Sequence, residues 1–337
     1  MLKVGLLGAG RIGQVHAKSI AAHPESRLAA VSDVVMLAAE KLAAAYGAEA
    51  RTTEAILADP SIDAVLIATS TDTHADLIEA ATQAGKAVLC EKPVDLDLAR
   101  AVRCQAAAAR TGRPVMIGFN RRFDPNFASL KAAFDAGEIG KGELLSITSF
   151  DPAPPPASYV KVSGGLFRDM MIHDFDMACW IMGGAPEKVT AVGSCIVDPE
   201  IGRAGDVDTA VVTLHFADGR IAVIKNSRRA VYGYDQRIEL LGSDGLLSAG
   251  NVLESTVSKA TAAGVTGAKP EFFFLERYMR AYEAEWSAFV NAVLRGAPLP
   301  VSLQDGVNAL ALAEAATEAA RTGQAVAVSR AALEVAA

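Results

Sequence analysis

A glycine-rich turn directly after the first apolar run constrains the fold of this chain more than any other feature. The run Val4–Leu7 leads into Gly8-Ala9-Gly10-Arg11-Ile12-Gly13, and a helix-compatible segment follows. In a strand–turn–helix unit the first glycine permits a tight turn, the second lets the backbone approach a pyrophosphate, and the third lets the helix pack on the strand. The N–H groups at the helix N-terminus stabilise the phosphate charge. A dinucleotide site is therefore predicted at Gly8, Gly10, Arg11, Ile12 and Gly13.

An acidic residue stands where such a site needs a ribose contact. Asp33 follows Gly13 by about twenty residues, just past the second apolar run. Its carboxylate is predicted to accept hydrogen bonds from the adenosine ribose hydroxyls and to repel the 2′-phosphate of NADP. No Arg or Lys follows in Val34-Val35-Met36, so the predicted cofactor is NAD. The alternative is that Asp33 only caps the next helix.

Short apolar runs alternate with longer Ala-rich segments from Leu2 to Gly118. This alternation is typical of a parallel sheet covered by helices on both faces, and right-handed crossovers make the sheet doubly wound. Residues 1–120 are therefore predicted to form an NAD-binding domain with a Rossmann fold. Its predicted strands are Leu2–Leu7, Arg27–Ser32, Ala50–Thr52, Ala64–Ala68, Ala87–Cys90 and Val115–Gly118.

The sequence changes character after Asn120, where β-like segments are interrupted by Gly, Pro and Asp. Ala217-Asp218-Gly219-Arg220 fits a hairpin turn, so residues 121–337 are predicted to form an α+β domain with an antiparallel or mixed sheet. The predicted strands are Glu143–Phe150, Val189–Ile196, Asp208–Phe216, Ile221–Ser227, Gln236–Leu241 and Leu246–Ser248. The predicted helices are Asn126–Ala136, Gly165–Trp180, Glu276–Leu294 and Leu303–Arg321.

Composition excludes several other classes of protein. Of 337 residues, 51% are hydrophobic and 21% charged, as in a globular chain with a large core. A net charge of −7 without a Lys/Arg run argues against a nucleic-acid partner. No apolar stretch reaches the roughly 18 residues of a membrane span and no signal-peptide pattern follows Met1, so we expect a cytoplasmic protein. Four scattered cysteines without a CxxC spacing predict buried, reduced thiols.

Two further segments end predicted strands at the edge where a doubly wound sheet binds ligands. After the fourth strand, cofactor contacts are predicted from Thr69, Ser70, Thr71 and His74, although the hydroxyls fit helix caps equally well. Glu91-Lys92-Pro93 ends the fifth strand, and Glu91 and Lys92 are also predicted to contact the cofactor. The Lys92 ammonium is suited to bind a substrate hydroxyl and to stabilise negative charge on its oxygen. The alternative is a solvated lysine.

Asp169 and His173 stand four residues apart, so on a helix they share one face. A histidine can take a proton from a secondary alcohol near neutral pH, and an adjacent carboxylate can orient it. The alternative is a structural hydrogen bond on a buried helix face. A metal site is not predicted, because Asp169, His173, Asp174 and Asp176 do not share one face and hydride transfer needs no metal when a base is present.

These segments together resemble the Gfo/Idh/MocA oxidoreductases over nearly the whole chain. The resemblance rests on GAGRIG at 8–13, Asp33, Glu91-Lys92-Pro93, residues 118–125 (GFNRRFDP), the Asp169/His173 segment, residues 233–237 (GYDQR) and residues 274–278 (FLERY). It implies that Lys92, Asp169 and His173 are the catalytic set, with His173 as the base. It also implies a second domain with a large, mostly antiparallel, open-faced sheet that another subunit covers in a homotetramer.

By the same resemblance, the implied reaction is the NAD-dependent oxidation of a ring hydroxyl of myo-inositol to 2-keto-myo-inositol. A polyol needs many hydrogen bonds and little apolar surface. The candidate substrate contacts are Lys92, Arg121, Asp151, Tyr159, Asp169, His173, Tyr232, Tyr234 and Tyr278. Cys179 stands where many members of the family have a basic residue, which puts a local packing or salt-bridge contact in doubt but not the chemistry.

Other activities remain open from the sequence. A dehydrogenase of the same family that acts on scyllo-inositol, an aldose or another cyclic polyol would differ only in pocket side chains. An NAD-dependent glycoside hydrolase would use the same fold but leave NAD unconsumed overall. A nucleotide sensor without turnover would have no use for a Lys/Asp/His set.

Overall fold

The computed structural model describes residues 1–329, and residues 330–337 of the predicted second domain lie outside the described part. The chain divides into two compact units. The first contains Met1–Phe123 and Arg280–Ala311, and the second contains Asp124–Met279 and Leu312–Ser329. The chain therefore leaves each unit and returns to it.

The first unit contains a six-stranded sheet in which every pair is parallel, in the order β3-β2-β1-β4-β5-β6. The strands are β1 (Leu2–Leu7), β2 (Ser26–Ser32), β3 (Glu49–Ala50), β4 (Ala64–Ile67), β5 (Ala87–Glu91) and β6 (Val115–Gly118). The helices between them are α1 (Arg11–Ala22), α2 (Met36–Tyr46), α3 (Thr53–Ala58), α4 (His74–Gln83) and α5 (Leu98–Ala109). Short 3₁₀ turns cover Thr71–Thr73 and Asn120–Phe123.

This sheet confirms the predicted doubly wound fold. The strands β1 to β3 are added in one direction across the sheet, and β4 to β6 are added in the other, so the strand order reverses between β1 and β4. In such sheets, ligands bind at the carboxyl ends of the strands beside this reversal. Every residue of β4, β5 and β6 is buried, because helices cover both faces of a parallel sheet. The glycine turn, which follows β1, lies at this reversal.

The second unit contains a seven-stranded sheet in the order β12-β11-β7-β10-β9-β8-β15. The strands are β7 (Gly142–Phe150), β8 (Lys188–Ser194), β9 (Thr209–His215), β10 (Ile221–Ser227), β11 (Asp235–Gly242), β12 (Gly245–Ala249) and β15 (Val326–Ala327), with a separate hairpin of β13 (Ser258–Thr261) and β14 (Gly264–Gly267). The helices are α6 (Pro125–Asp135), α7 (Ala157–Ser163), α8 (Leu166–Asp169), α9 (Ile172–Met182) and α10 (Pro199–Arg203). Two long helices follow in the chain, α11 (Phe274–Arg295) and α12 (Leu303–Thr322).

The sheet of the second unit is mixed, since β7 and β10 are parallel and the other described pairs are antiparallel. Burial alternates along β10 and β11, so one face of the sheet forms core and the other is open. The open face carries exposed apolar side chains, among them Val192 (73% exposed), Val211 (45%) and Leu241 (42%). This arrangement confirms the α+β prediction with a mostly antiparallel, open-faced sheet.

The predicted single helix over Gly165–Trp180 is wrong in one respect. Helix α8 ends at Asp169, and α9 begins at Ile172 after a turn at Met170 and Met171. The His173 N–H donates to the Met170 carbonyl at 3.4 Å instead of to that of Asp169, so the regular ladder is interrupted between the two predicted catalytic residues.

Within residues 1–329, every helix is too short or too polar to cross a bilayer.

Candidate active site

The glycine turn has the geometry that a bound pyrophosphate requires. Gly8 has φ +104°, and a Cβ there would lie 2.4 Å from the Ala68 carbonyl oxygen. A Cβ on Gly13 would lie 2.1 Å from the Gly8 carbonyl oxygen, so both positions exclude a side chain. A Cβ on Gly10 would meet no atom within 4 Å, which leaves the backbone open on that side. Gly10 is the N-cap residue before α1 and supplies no side-chain cap, so the first-turn N–H groups suit a phosphate.

Asp33 supports this turn directly. Its Oδ2 accepts a hydrogen bond from the Ala9 N–H at 2.7 Å, and its Oδ1 accepts one from the Val35 N–H at 2.8 Å. The carboxylate therefore connects the glycine turn to the backbone segment that leads into α2. Each oxygen has a second lone-pair position, so the same carboxylate can still accept from ribose hydroxyls. The residues present fit an NAD molecule at this position.

Removing the charge of Asp33 is expected to change cofactor preference. Asp33→Asn keeps an acceptor for the Ala9 N–H but no longer repels a 2′-phosphate. We expect the ratio of kcat/KM for NAD to that for NADP to fall about tenfold, mainly through a higher KM for NAD. Steady-state kinetics with both cofactors measures this ratio. Glu40→Gln, which removes an exposed charge from α2, is the matched control, and equal ratios in both variants would contradict the assigned role.

His74 links the polar residues after β4 to the loop after β5 through its two ring nitrogens. The His74 side chain is buried, with Nδ1 2.7 Å from the Pro93 carbonyl oxygen and Nε2 3.2 Å from the Thr69 carbonyl oxygen. Burial lowers the pKa of this imidazole. Thr69 Oγ1 lies 2.7 Å from Thr73 Oγ1. The ring nitrogens of His74 therefore face backbone carbonyls and hold together two of the predicted cofactor segments.

Lys92 follows the last residue of β5, as its sequence position predicts. Glu91, the residue before it, is buried, and its Oε1 lies at hydrogen-bond distance, 2.6 Å, from His16 Nε2. His16 lies on α1 and packs edge-on against Tyr282, with ring centroids 5.4 Å apart. The helix of the glycine turn and the strand end before Lys92 are thus joined by a buried pair. His16 belongs to no motif that marks it as a site residue in the sequence.

A second buried carboxyl group, Glu285, lies close enough to Glu91 to interact with it electrostatically. Neither of its carboxylate oxygens has a hydrogen-bond partner among residues 1–329. Burial, and to a smaller extent the charge of Glu91, raises the pKa of Glu285 well above its ordinary value. The folded protein therefore keeps Glu285 protonated at pH values where the unfolded chain releases the proton.

Stability is consequently expected to fall as pH rises because of Glu285. Between about pH 4.3 and the raised pKa of the folded chain, the unfolded chain has lost this proton and the folded chain retains it, so each pH unit in this range favours unfolding. Glu285→Met is expected to raise the free energy of unfolding by about 1–3 kcal/mol at pH 8 and by less at pH 4. Urea denaturation across this pH range measures the difference. Glu283→Met, on an exposed position of the same helix, should show no such pH dependence, and equal behaviour of the two variants would refute the explanation.

Asp169 belongs to a cluster of polar side chains in the second unit. Its Oδ1 accepts from the Tyr159 hydroxyl at 2.8 Å, and its Oδ2 accepts from the Arg228 guanidinium at 3.2 Å. Two of the predicted site residues, Tyr159 and Asp169, are therefore in direct contact. His173 is half-buried in the first turn of α9. The adjacent Asp174 is fully buried and accepts from Asn226 Nδ2 at 2.8 Å, so it supports the helix from the core side.

The remaining predicted substrate contacts differ in exposure. Tyr232 is half-exposed and donates to Asp235 Oδ2 at 2.5 Å, and burial together with that carboxylate raises its pKa to about 12. Tyr234 and Tyr278 are buried and pack edge-to-face, with ring centroids 5.9 Å apart. Arg121 is buried in the turn after β6, and Asp151, directly after β7, is half-buried.

The cysteines and acidic residues form no alternative centre in the part of the chain described. All four cysteines are free thiols, and Cys90 and Cys104 are buried. Burial raises the pKa of Cys104 to about 12. Among residues 1–329 there is no group of three or more His, Cys, Asp or Glu side chains arranged to hold a metal ion.

A doubly wound sheet with this glycine turn, joined in one chain to an α+β unit that carries an acid–histidine segment, defines a nicotinamide-dependent oxidoreductase. Residues 2–119 match the family described as "Oxidoreductase family, NAD-binding Rossmann fold", and residues 127–248 match the GFO/IDH/MocA C-terminal domain. The chain belongs to the Gfo/Idh/MocA oxidoreductase family. The predicted family, enzyme class and NAD-binding fold are thereby confirmed.

Several relatives are similar over almost their whole length. Inositol 2-dehydrogenase of Rhizobium meliloti is 51% identical over 94% of this chain and 96% of its own. Myo-inositol 2-dehydrogenase of Thermotoga maritima is 48% identical over 94% and 95%. The crystal structure of a myo-inositol dehydrogenase from Corynebacterium glutamicum has a TM-score of 0.94 at 44% identity, covering 98% of this chain and 99% of its own. That of scyllo-inositol dehydrogenase from Lactobacillus casei with bound NAD(H) and scyllo-inositol has a TM-score of 0.90 at 32% identity, covering 97% and 99%.

Proposed function

We propose that this chain is an NAD-dependent inositol 2-dehydrogenase that oxidises one ring hydroxyl of myo-inositol to 2-keto-myo-inositol. The observation that carries the proposal is the 51% identity to an inositol 2-dehydrogenase along almost the full length of both chains. The open glycine turn and the carboxylate of Asp33 support NAD as the hydride acceptor. Residues 1–120 supply the cofactor site in this proposal, and residues 121–337 supply substrate contacts and subunit contacts.

NAD, when bound, accepts the hydride that leaves the alcohol carbon. In the proposed mechanism His173 removes the hydroxyl proton as the general base. The Lys92 ammonium donates a hydrogen bond to the same oxygen and stabilises the negative charge that develops there. Asp169 orients the imidazole of His173 and stabilises its protonated form.

The proposed substrate contacts combine charged and phenolic groups, as recognition of a polyol requires. Tyr159 is half-exposed and its hydroxyl already bonds Asp169, so the same hydroxyl oxygen can accept from a substrate hydroxyl. Tyr232 has a comparable arrangement with Asp235. The other proposed contacts are Arg121, Asp151, Tyr234 and Tyr278.

We also propose that the chain acts as a homotetramer. The open face of the second unit's sheet carries apolar side chains such as Val192 and Val211, and burying them against another copy would remove them from water. Sedimentation velocity measures the assembly state. A monomer at micromolar concentration would contradict this part of the proposal.

A substrate panel tests the reaction. NADH formation is followed at 340 nm with purified protein, NAD and each of myo-inositol, scyllo-inositol, other inositol isomers and aldoses. We expect the highest kcat/KM with myo-inositol and 2-keto-myo-inositol as the product. A preference for scyllo-inositol or an aldose would change the substrate but keep the enzyme class. Hydrolysis of a glycoside without net NADH would overturn the proposal.

A further inference from the structure

Arg228 is a buried cation whose partner is a predicted catalytic carboxylate. It lies directly after β10, and its side chain is only 2% exposed. Its guanidinium donates to Asp169 Oδ2 at 3.2 Å and lies 4.0 Å from Asp206 Oδ2. Transferring a guanidinium from water to such a position costs several kcal/mol, which neighbouring carboxylates must offset.

The contacts of Asp169 leave its carboxylate little rotational freedom. Arg228 donates to one oxygen, and the Tyr159 hydroxyl from α7 donates to the other at 2.8 Å. Two donors on opposite oxygens fix the plane of the carboxylate. The Asp169 side chain is 13% exposed, whereas Arg228 behind it is almost completely enclosed.

Asp206 fixes the helix that ends at Asp169. Both of its carboxylate oxygens lie 3.0 Å from the Leu166 N–H, the first residue of α8. The two segments approach so closely that a Cβ on Gly165 would lie 2.7 Å from Asp206 Oδ1. Burial raises the pKa of Asp206, and the charge of Asp169 adds to this effect while the Leu166 N–H and Arg228 oppose it. Asp206 thus holds the beginning of α8 and Arg228 holds its end.

Stability alone does not explain a buried ion cluster of this kind. Apolar side chains of similar volume usually give equal or greater stability than a buried ion pair. A fixed carboxylate orientation, in contrast, is what an orienting group for a general base requires. We propose that Arg228 is a positioning residue that acts through Asp169 on His173, with Asp206 holding α8 in place. This inference rests on the proposed function, in which Asp169 orients His173.

Single-turnover kinetics separates positioning from folding. With enzyme and NAD in saturating excess over myo-inositol, the rate constant of NADH formation reports the chemical step, and a separate titration gives the number of NAD molecules bound per chain, which reports the folded fraction. We expect Arg228→Met to lower this rate constant about tenfold with an unchanged number of NAD molecules bound per chain and nearly unchanged NAD affinity. Arg228→Lys should recover part of the rate. Arg229→Met, on the exposed neighbouring position, is the control and should match the wild type.

A double-mutant cycle tests whether Arg228 acts through Asp169. In the Asp169→Asn background, Arg228→Met should lower the rate constant less than twofold further, since the partner of the guanidinium is already altered. Additive losses, or fewer NAD molecules bound per chain at an unchanged rate constant, would overturn the inference. If Arg228→Met fails to fold, Arg228→Lys, which keeps the buried charge but not the planar fork of donors, provides the measurement: its rate constant should fall with NAD binding unchanged. A wild type that oxidises no inositol refutes the proposed function, whereas an active wild type with an unaffected Arg228→Met variant refutes only this inference.

Discussion

His173→Ala is expected to lower kcat by about 100-fold or more and to leave NAD affinity nearly unchanged. The imidazole is proposed to take the hydroxyl proton, and a positioned general base contributes roughly 10²–10⁴-fold to such a step. His173 lies on α9 and is not among the residues assigned to NAD, which include the glycine turn and Asp33. Steady-state kcat and an independent titration of NAD binding measure the two effects separately.

The control for this variant is His215→Ala. His215 is also half-buried in the second unit and contacts Thr190 at 3.4 Å, but it has no assigned role in the reaction. It should retain wild-type kcat. Added imidazole should restore part of the activity of His173→Ala, because a small base can occupy the space of the lost ring. Wild-type turnover by His173→Ala would place the base elsewhere.

The sequence predicted the first sheet well because its signal is local. The apolar runs before the glycine turn and at the later strands are buried on both sides, and the observed strands begin or end within a few residues of the predicted ones. The glycine motif was also informative, since a Cβ on Gly8 or Gly13 would collide with backbone carbonyls. In each case neighbouring residues along the chain carry the reason for the structure.

The contacts that organise the candidate site were not predictable in the same way. His16 and Glu91 are 75 residues apart in the chain, and Arg228 and Asp169 are 59 apart. No spacing rule connects such pairs, because tertiary packing alone brings them together. The interruption between Asp169 and His173 was missed as well, since helical spacing predicted a continuous helix through Met170 and Met171. The residues that hold proposed catalytic groups in place therefore became visible only in the structure.

Lys92→Met is expected to reduce kcat by about 10²–10³-fold, the usual cost of removing one donor that stabilises a developing oxyanion. Methionine nearly preserves the length of the side chain but donates no hydrogen bond and carries no charge. The backbone before Lys92 should stay in place, because the buried pair of Glu91 and His16 is unchanged. Kinetics with myo-inositol, together with NAD titration, measures whether the loss lies in the chemical step.

Rescue by imidazole distinguishes the proposed role of Lys92 from that of His173. Added imidazole should improve His173→Ala but not Lys92→Met, because an external base replaces a proton acceptor and cannot replace a cation on the substrate oxygen. Lys41→Met, at an exposed position on α2, controls for the loss of one positive charge in the same unit. If Lys92→Met retained wild-type kcat, the lysine at the end of β5 would be a solvated side chain, and stabilisation of the developing charge would have to come from another group.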